Sequence, residues 1–332
     1  MVDGEFFDKL ESVARAVKST DKPFGGITLV LCGDFLQLPP ISKGNQPKRF
    51  CFQASTWSAC VGATVELKDV FRQSDQRFVK ILQNLRYGRC TPEIADILRA
   101  TSTHKLAADD EASSSGILAT KLFTHNQDVE YTNQVHLKRL KSPLHTFEAV
   151  DSNGSNSKLI SALCPAAPTQ IQLCVGAQVM LTKNLSVISG LVNGARGVIT
   201  GFEKTDATGG VSMPKIRFLG GLESVMKPEK FPVKLSSGDV AFRRQLPLKL
   251  AWAISVHKSQ GMTLDHVEMS LSRVFESGQV YVALSRAKSL ENVRITDFDP
   301  ACVRANSDVV RWYKSMRENC AMTTTTATSL RF

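Results

Sequence analysis

The chain has 332 residues, 42% of them hydrophobic and 22% charged, the make-up of an ordinary globular protein with room for about two domains at ~150 residues each. No stretch reaches the roughly 18 uninterrupted apolar residues of a bilayer span, and the opening MVDGEFFDKL has neither a basic start nor an apolar core, which argues against membrane insertion and against secretion. Eight cysteines stand singly without any Cys-x-x-Cys pair, and 41 Lys and Arg against 31 Asp and Glu leave a net charge of +10, so zinc clusters and disulfide scaffolds lose support while a phosphate-rich partner is favoured. The basic residues are scattered, however, and a plain solvated basic surface remains an open alternative.

Residues 4–18 carry Phe6, Phe7, Leu10, Val13, Ala14 and Val17 at helical spacing, which predicts an amphipathic helix. After Asp21-Lys22-Pro23 and Gly25-Gly26 comes ITLVLCGDF at 27–35, a β-branched run that reads as a strand buried on both faces, as in parallel sheets. ATVEL at 63–67 repeats that signature, and DQRFVKILQNLRYG at 75–88 reads as a helix closed by Gly88. Residues 101–116 are small and polar, a surface insertion, and 117–125 form a further strand candidate. A second loop lies at 151–158. Between about 190 and 245 the dipeptide Asn193-Gly194 and short alternating runs mark a small antiparallel β unit. Strand–turn–helix grammar returns at 248–264 and 275–289, and a last helix at about 307–318 precedes a polar tail, 321–332, expected to be disordered.

Gly33-Asp34-Phe35-Leu36-Gln37-Leu38-Pro39-Pro40 stands at the carboxyl end of the first predicted strand, where ligands gather in open α/β sheets. A glutamine there can orient water or sense a terminal phosphate. A turn capped by Asp34 with Gln37 merely solvated fits the spacing equally well. Arg72, in LKDVFRQ, and Arg286, in VYVALSRAKS, carry the planar fork that neutralises phosphate, although surface arginines are commoner. His257-Lys258-Ser259-Gln260-Gly261-Met262-Thr263-Leu264 places donors and a glycine directly after an apolar run. Trp252, Phe275 and Tyr281 are either base-stacking platforms or core aromatics. His104, His125, His136, His145 and His266 lie in no metal-ligand spacing, and no metal ligand is assigned.

Taken together and in this order, GDFLQLPP, LKDVFRQ, AISVHKSQGMTL and VYVALSRAKSLENVRI resemble the Pif-type DNA helicases, 5′-to-3′ motors of superfamily one B, from Met1 to about Tyr313, and most of all the vertebrate kind. The resemblance implies an α/β fold of RecA-like parallel-sheet domains, the first only partial, with an SH3-like β-barrel insertion. It implies these bounds: 1–65 as the C-terminal part of the first RecA-like domain, 66–189 and 246–320 as the second, and 190–245 as the insertion. It also implies that Gln37 senses the γ-phosphate with Asp34 positioning it, and that Arg72 and Arg286 are arginine fingers. Gln260 and Gly261 would lie near the nucleotide. His257, Lys258, Ser259, Tyr281, Ser285 and Lys288 would belong to the DNA-binding surface, part of which is Gly278–Thr296. The cofactors implied are ATP and Mg²⁺. The implied partners are single-stranded and forked DNA, with G-quadruplexes or RNA–DNA hybrids in addition, for a monomer acting without a membrane in genome maintenance in the nucleus and mitochondria.

A G-x-x-x-x-G-K-[ST] loop is absent, and the only acidic run, Asp109-Asp110-Glu111, sits in a polar segment rather than after a strand. The expectation is a chain that begins just after the magnesium-binding motif and hydrolyses ATP poorly by itself. The alternatives are a non-catalytic single-strand-binding or regulatory module, and a related motor such as a recombination exonuclease subunit.

Overall fold

The structure is a computed structural model that describes residues 2–40, 49–106, 116–152, 164, 166–204, 211–234 and 240–329, with side chains to 318. The polar segment 107–115, most of the loop expected at 151–158 and the last three residues lie outside the described residues. The helices are α1 (Gly4–Lys18), α2 (Trp57–Cys60), α3 (Gln76–Arg86), α4 (Pro92–Ala100), α5 (Asn126–Arg139), α6 (Gln279–Leu284) and α7 (Ser307–Ser329). Helix α7 thus runs beyond the end expected near 318. Two compact units result, one from Met1–Ser102, Ser270–Leu290 and Ile295–Phe332, the other from Thr103–Met269 and Glu291–Arg294.

In the first unit local chemistry sets the helix ends. Asp3 accepts from the Phe6 amide at 2.7 Å to start α1, and Asp75 accepts from the Arg77 amide to start α3, each satisfying an orphan donor of a first turn. Of the apolar stripe on α1 only Phe7 is buried; Phe6, Val13 and Val17 face solvent, because the face that packs is Gly4–Phe7–Glu11. Phe7 meets Phe24, Cys51 and Ala54 in one cluster. A second joins Leu36 and Phe50 to Val309 and Tyr313 of α7.

The segments 27–35 and 63–67, expected as buried strands, are neither paired nor buried: Val30 is 84% exposed, Val65 82% and Leu67 89%. A strand exists only as one member of a hydrogen-bonded ladder, and no described segment supplies a neighbour for either. Their apolar character is real, but no sheet covers it here.

The second unit holds the parallel sheet. Thr120–Phe123 pairs in parallel with Ala253–Ser255 on one side and the strand from Val267 on the other, setting Leu122 against Ile254 and Met269. Around 190–245 the expected antiparallel ladder forms. Arg196–Lys204 pairs with Ser212–Phe218 through a bulge near Ile199 and Gly201, and Glu229–Lys234 pairs with Val240–Gln245. The five-stranded sheet recruits flanking strands Gln178–Leu181 and Leu248–Leu250. Leu173, Val179, Leu181, Ile216 and Leu246 fill its core. Arg243, fully buried, is neutralised by a bidentate pair with Asp151 at 2.6 and 2.8 Å, as a buried charge requires.

Candidate functional site

Local hydrogen bonds first shape the turn that carries Gln37. The Asp34 carboxylate accepts from the Leu36 amide at 3.1 Å and the Asp34 carbonyl accepts from the Gln37 amide at 3.2 Å, an Asx-type turn. Leu36, Leu38, Pro39 and Pro40 are buried around it, and Gln37 is half-buried.

Helix α6 runs past this turn. Gly278, just ahead of α6, has φ +78°, and a Cβ there would stand 2.6 Å from the Leu36 carbonyl and 2.7 Å from that of Gln37. Only glycine tolerates both the dihedral and the approach. At the other end of α6, roughly 10 Å along at 1.5 Å per residue, the Ser285 carbonyl accepts from Arg72 Nη1 at 3.2 Å and from Gln73 Nε2 at 3.1 Å. Gln73 also donates to the Ala287 carbonyl at 2.8 Å. Arg286, 2% exposed, folds back so that Nε donates to the Val282 carbonyl and Nη2 to Ser285 Oγ at 2.7 Å.

The electrostatics follow from this packing. Burial, and then the like charge of Arg72, pull the Arg286 pKa down to about 10, with Tyr281 acting in the opposite sense. Burial and the Asp34 carboxylate raise Tyr281, while Arg86, Arg286 and Arg72 pull it down. One tyrosine on α6 therefore feels both ends of the site. Two guanidinium groups held near each other in a partly desolvated place favour a polyanion, because a phosphate relieves their repulsion and the desolvation penalty of Arg286 together.

Asp34, Gln37, Arg72, Tyr281, Ser285, Arg286 and Lys288 all fall in the first unit. Lys288 is exposed, whereas the Ser285 hydroxyl is buried and donates to the Val282 carbonyl. His257, Lys258, Ser259, Gln260 and Gly261 belong to the second unit. The residues expected to continue the strand as a helix form only the short 3-10 turn His257–Ser259. Lys258 is exposed there, while Ser259 is fully buried with its hydroxyl on the Val256 carbonyl. Gly261, Met262 and Thr263 line an open cavity of about 420 Å³ together with the Asn193–Gly194 turn and Arg196. Of the possible stacking aromatics, Trp252 is buried beneath His136 at 5.5 Å and serves the core, whereas Phe275 is 54% exposed.

Sequence reasoning missed Arg86, Tyr313 and Arg317, and it named Gly278 only as the edge of the expected DNA-binding region, not as the residue against the Gln37 turn. Arg86 is bidentate on Asp34 at 3.1 and 2.9 Å, and the Tyr313 hydroxyl donates to Asp34 Oδ1 at 3.1 Å. Arg317 pairs with Glu66 at 2.6 Å. The one legible hint was a charge, Arg86, closing the otherwise apolar face of α3.

The chain matches a family profile described as PIF1-like helicase over residues 1–95 and another described as DNA helicase Pif1, 2B domain, over 160–202. The ATP-dependent DNA helicase PIF1 of Rattus norvegicus is 53% identical over 318 residues, covering 96% of this chain and 48% of that protein. The chain therefore spans about half the length of the curated relatives it matches. The crystal structure of Pif1 helicase from Candida albicans is 34% identical with a TM-score of 0.82, covering 95% of this chain and 75% of that one. Bacteroides Pif1 is 26% identical in two solved forms. One is bound to single-stranded DNA, with a TM-score of 0.70, 96% of this chain and 74% of that chain covered. The other is in complex with ADP-AlF4, with a TM-score of 0.75 and the same coverage.

Proposed function

Because the chain belongs to the PIF1-like helicase family, we propose that it forms part of an ATP-dependent DNA helicase, a 5′-to-3′ motor that moves on single strands and opens duplexes and forks. The observation that carries this reading is that α6 carries the Gln37 turn packed on Gly278 at one end and Arg72 with Arg286 at the other. In this reading the two arginines take the charge that develops on the γ-phosphate, as fixed forks in a dry site do. Gln37 registers whether that phosphate is present. Lys288 grips strand phosphates; the roles of Gln260 and Gly261 toward nucleotide and of His257 and Lys258 toward DNA, in the other unit, rest on family resemblance alone. Asp34 acts on Gln37 rather than on ATP.

The complex of Bacteroides Pif1 with ADP-AlF4 supports a nucleotide as ligand. The single-stranded DNA complex of the same protein supports the strand as partner. Among the described residues no group of three or more His, Cys, Asp and Glu is arranged to hold a metal, and no step is routed through Mg²⁺. The profile for the 2B domain, over 160–202, overlaps the expected insertion only at 190–202. The domain bounds 1–65, 66–189 with 246–320, and 190–245 as an SH3-like insertion are part of the same proposal and rest on family resemblance. So are action on G-quadruplexes or RNA–DNA hybrids, genome maintenance, and a place in nucleus and mitochondria, all of which rest on family resemblance.

Titration of the chain with a fluorescent single-stranded oligonucleotide at two salt concentrations tests the strand-binding half. Affinity is expected to fall at least tenfold between about 50 and 200 mM salt, as release of counterions from several phosphates demands. A flat response overturns it.

A further inference from the structure

Asp34 is the hub of a small network that reaches across three separate segments. Its two carboxylate oxygens accept four hydrogen bonds: from the Leu36 amide, from Arg86 Nε at 3.1 Å and Nη2 at 2.9 Å, and from the Tyr313 hydroxyl at 3.1 Å. Arg86 closes α3 and Tyr313 lies on α7. The Arg86 guanidinium carbon stands 5.1 Å from the Tyr313 ring and 5.5 Å from the Tyr87 ring, a cation seated between aromatic faces. Both partners of the ion pair are largely withdrawn from water, with side chains 19% and 15% exposed. The Asp34 carboxylate cannot rotate without breaking these side-chain bonds, and the Leu36 amide bond that shapes the turn goes with it. On the opposite side Gly278 stands against the carbonyls of Leu36 and Gln37. The Gln37 peptide is thereby fixed from two directions.

We propose that Arg86 and Tyr313 are positioning residues for Gln37: by locking Asp34 they hold the glutamine turn in one conformation, so that its amide meets a phosphate already gripped by Arg72 and Arg286. The idea rests on the reading of Gln37 as the phosphate sensor, but the lock itself is a property of the free protein. Phosphate sensing then depends on α3 and α7, elements that contain neither Gln37 nor the two arginines.

Tyr313→Phe removes one hydroxyl and keeps the ring that packs on Leu36 and Val309, and Arg86→Gln removes the fork. Amide hydrogen exchange of the unliganded chain is the first measurement. The Leu36 and Gln37 amides are expected to exchange about tenfold faster in either variant, the factor one charge-assisted hydrogen bond controls, with the amides of α6 unchanged. Inorganic tripolyphosphate is then titrated while NMR follows the side-chain amide of Gln37 and the Nε–H groups of Arg72 and Arg286. All three respond in the wild type; in the variants the arginines still respond and Gln37 does not. Unaltered exchange at Leu36 and Gln37, or a Gln37 response of wild-type size in both variants, overturns the positioning role. Arginines silent in the wild type sink the phosphate reading instead, and the exchange measurement, which needs no ligand, still decides the lock.

Discussion

Arg72 donates to the carbonyl of Ser285, the residue immediately before Arg286, so two guanidinium groups from distant parts of the sequence share one short stretch of backbone. Arg286 is the more deeply buried of the two, and the neighbouring charge of Arg72 opposes its protonation. A phosphate bound between them would offset both the burial of Arg286 and the repulsion it feels from Arg72.

Removing either arginine weakens binding of tripolyphosphate by about ten- to a hundredfold, the range of one or two charge-assisted hydrogen bonds. The double variant should fall short of the product of the two single effects, because removing Arg72 also lifts the repulsion on Arg286. Calorimetric titration of wild type, Arg72→Ala, Arg286→Ala and the pair gives the coupling directly. Strict additivity, or no loss in Arg286→Ala, contradicts a shared phosphate site.

Gly278→Ala brings a methyl group to within 2.7 Å of two carbonyl oxygens at a residue with φ +78°. Neither backbone oxygen belongs to a flexible side chain that can swing aside. The expected loss is about 2–4 kcal/mol of stability, from the dihedral and the clash together, read as a shift of the urea midpoint. A midpoint within error of wild type shows that the Gln37 turn is free to move away from α6.

Two ion pairs of the first unit should differ sharply. Arg317 and Glu66 meet at the surface, with the arginine side chain 49% exposed, and Arg317→Ala should cost under about 1 kcal/mol. Asp34→Ala leaves the largely buried Arg86 only the longer contact to Glu66 at 3.9 Å and should cost about 3 kcal/mol, toward the lower end of what breaking a buried pair does. Chemical denaturation of both variants checks the order; equal losses would mean that burial does not decide the matter here.

Val30, Leu67 and Phe71, the last 95% exposed, lie on segments with no sheet partner among the described residues. Such an apolar surface binds hydrophobic dyes and promotes association. The purified chain should enhance the fluorescence of anilinonaphthalene sulfonate while fully folded, and Leu67→Ser with Phe71→Ser should reduce the signal without lowering the melting temperature. A chain that leaves the dye dark disproves the exposure.

Cys51 gives a pH-dependent readout of the same unit. Burial, reinforced by the charges of Asp3 and Asp8, pushes its thiol up to about 11, so thiolate is scarce below that pH. A raised folded value means that the native state holds the proton more tightly than the unfolded chain. The associated stability is present below the ordinary thiol range and is lost as pH rises through about 11. Alkylation at pH 8 should label the exposed Cys32 well before Cys51, with the Cys51 rate climbing toward pH 11. Equal rates at pH 8 would place Cys51 in water.

What the amino-acid order determined by itself is what short-range chemistry controls. The stretch from Asp75 announces a helix, Gly88 its end, and Asn193-Gly194 a turn within an antiparallel stretch, because caps and turns are bonds between residues two to four apart. The motif series around Gln37, Arg72, Gln260 and Arg286 was legible for the same reason, each motif being a contiguous word. Only the tertiary structure decided that 27–35 joins no ladder among the described residues, since the hydropathy of a strand says that it wants partners and not that it has them. It alone also brought Arg86 and Tyr313 to Asp34, across 52 and 279 residues. No local pattern encodes such a meeting: a carboxylate is indifferent to which cation reaches it, and the packing of α3 and α7 makes the choice.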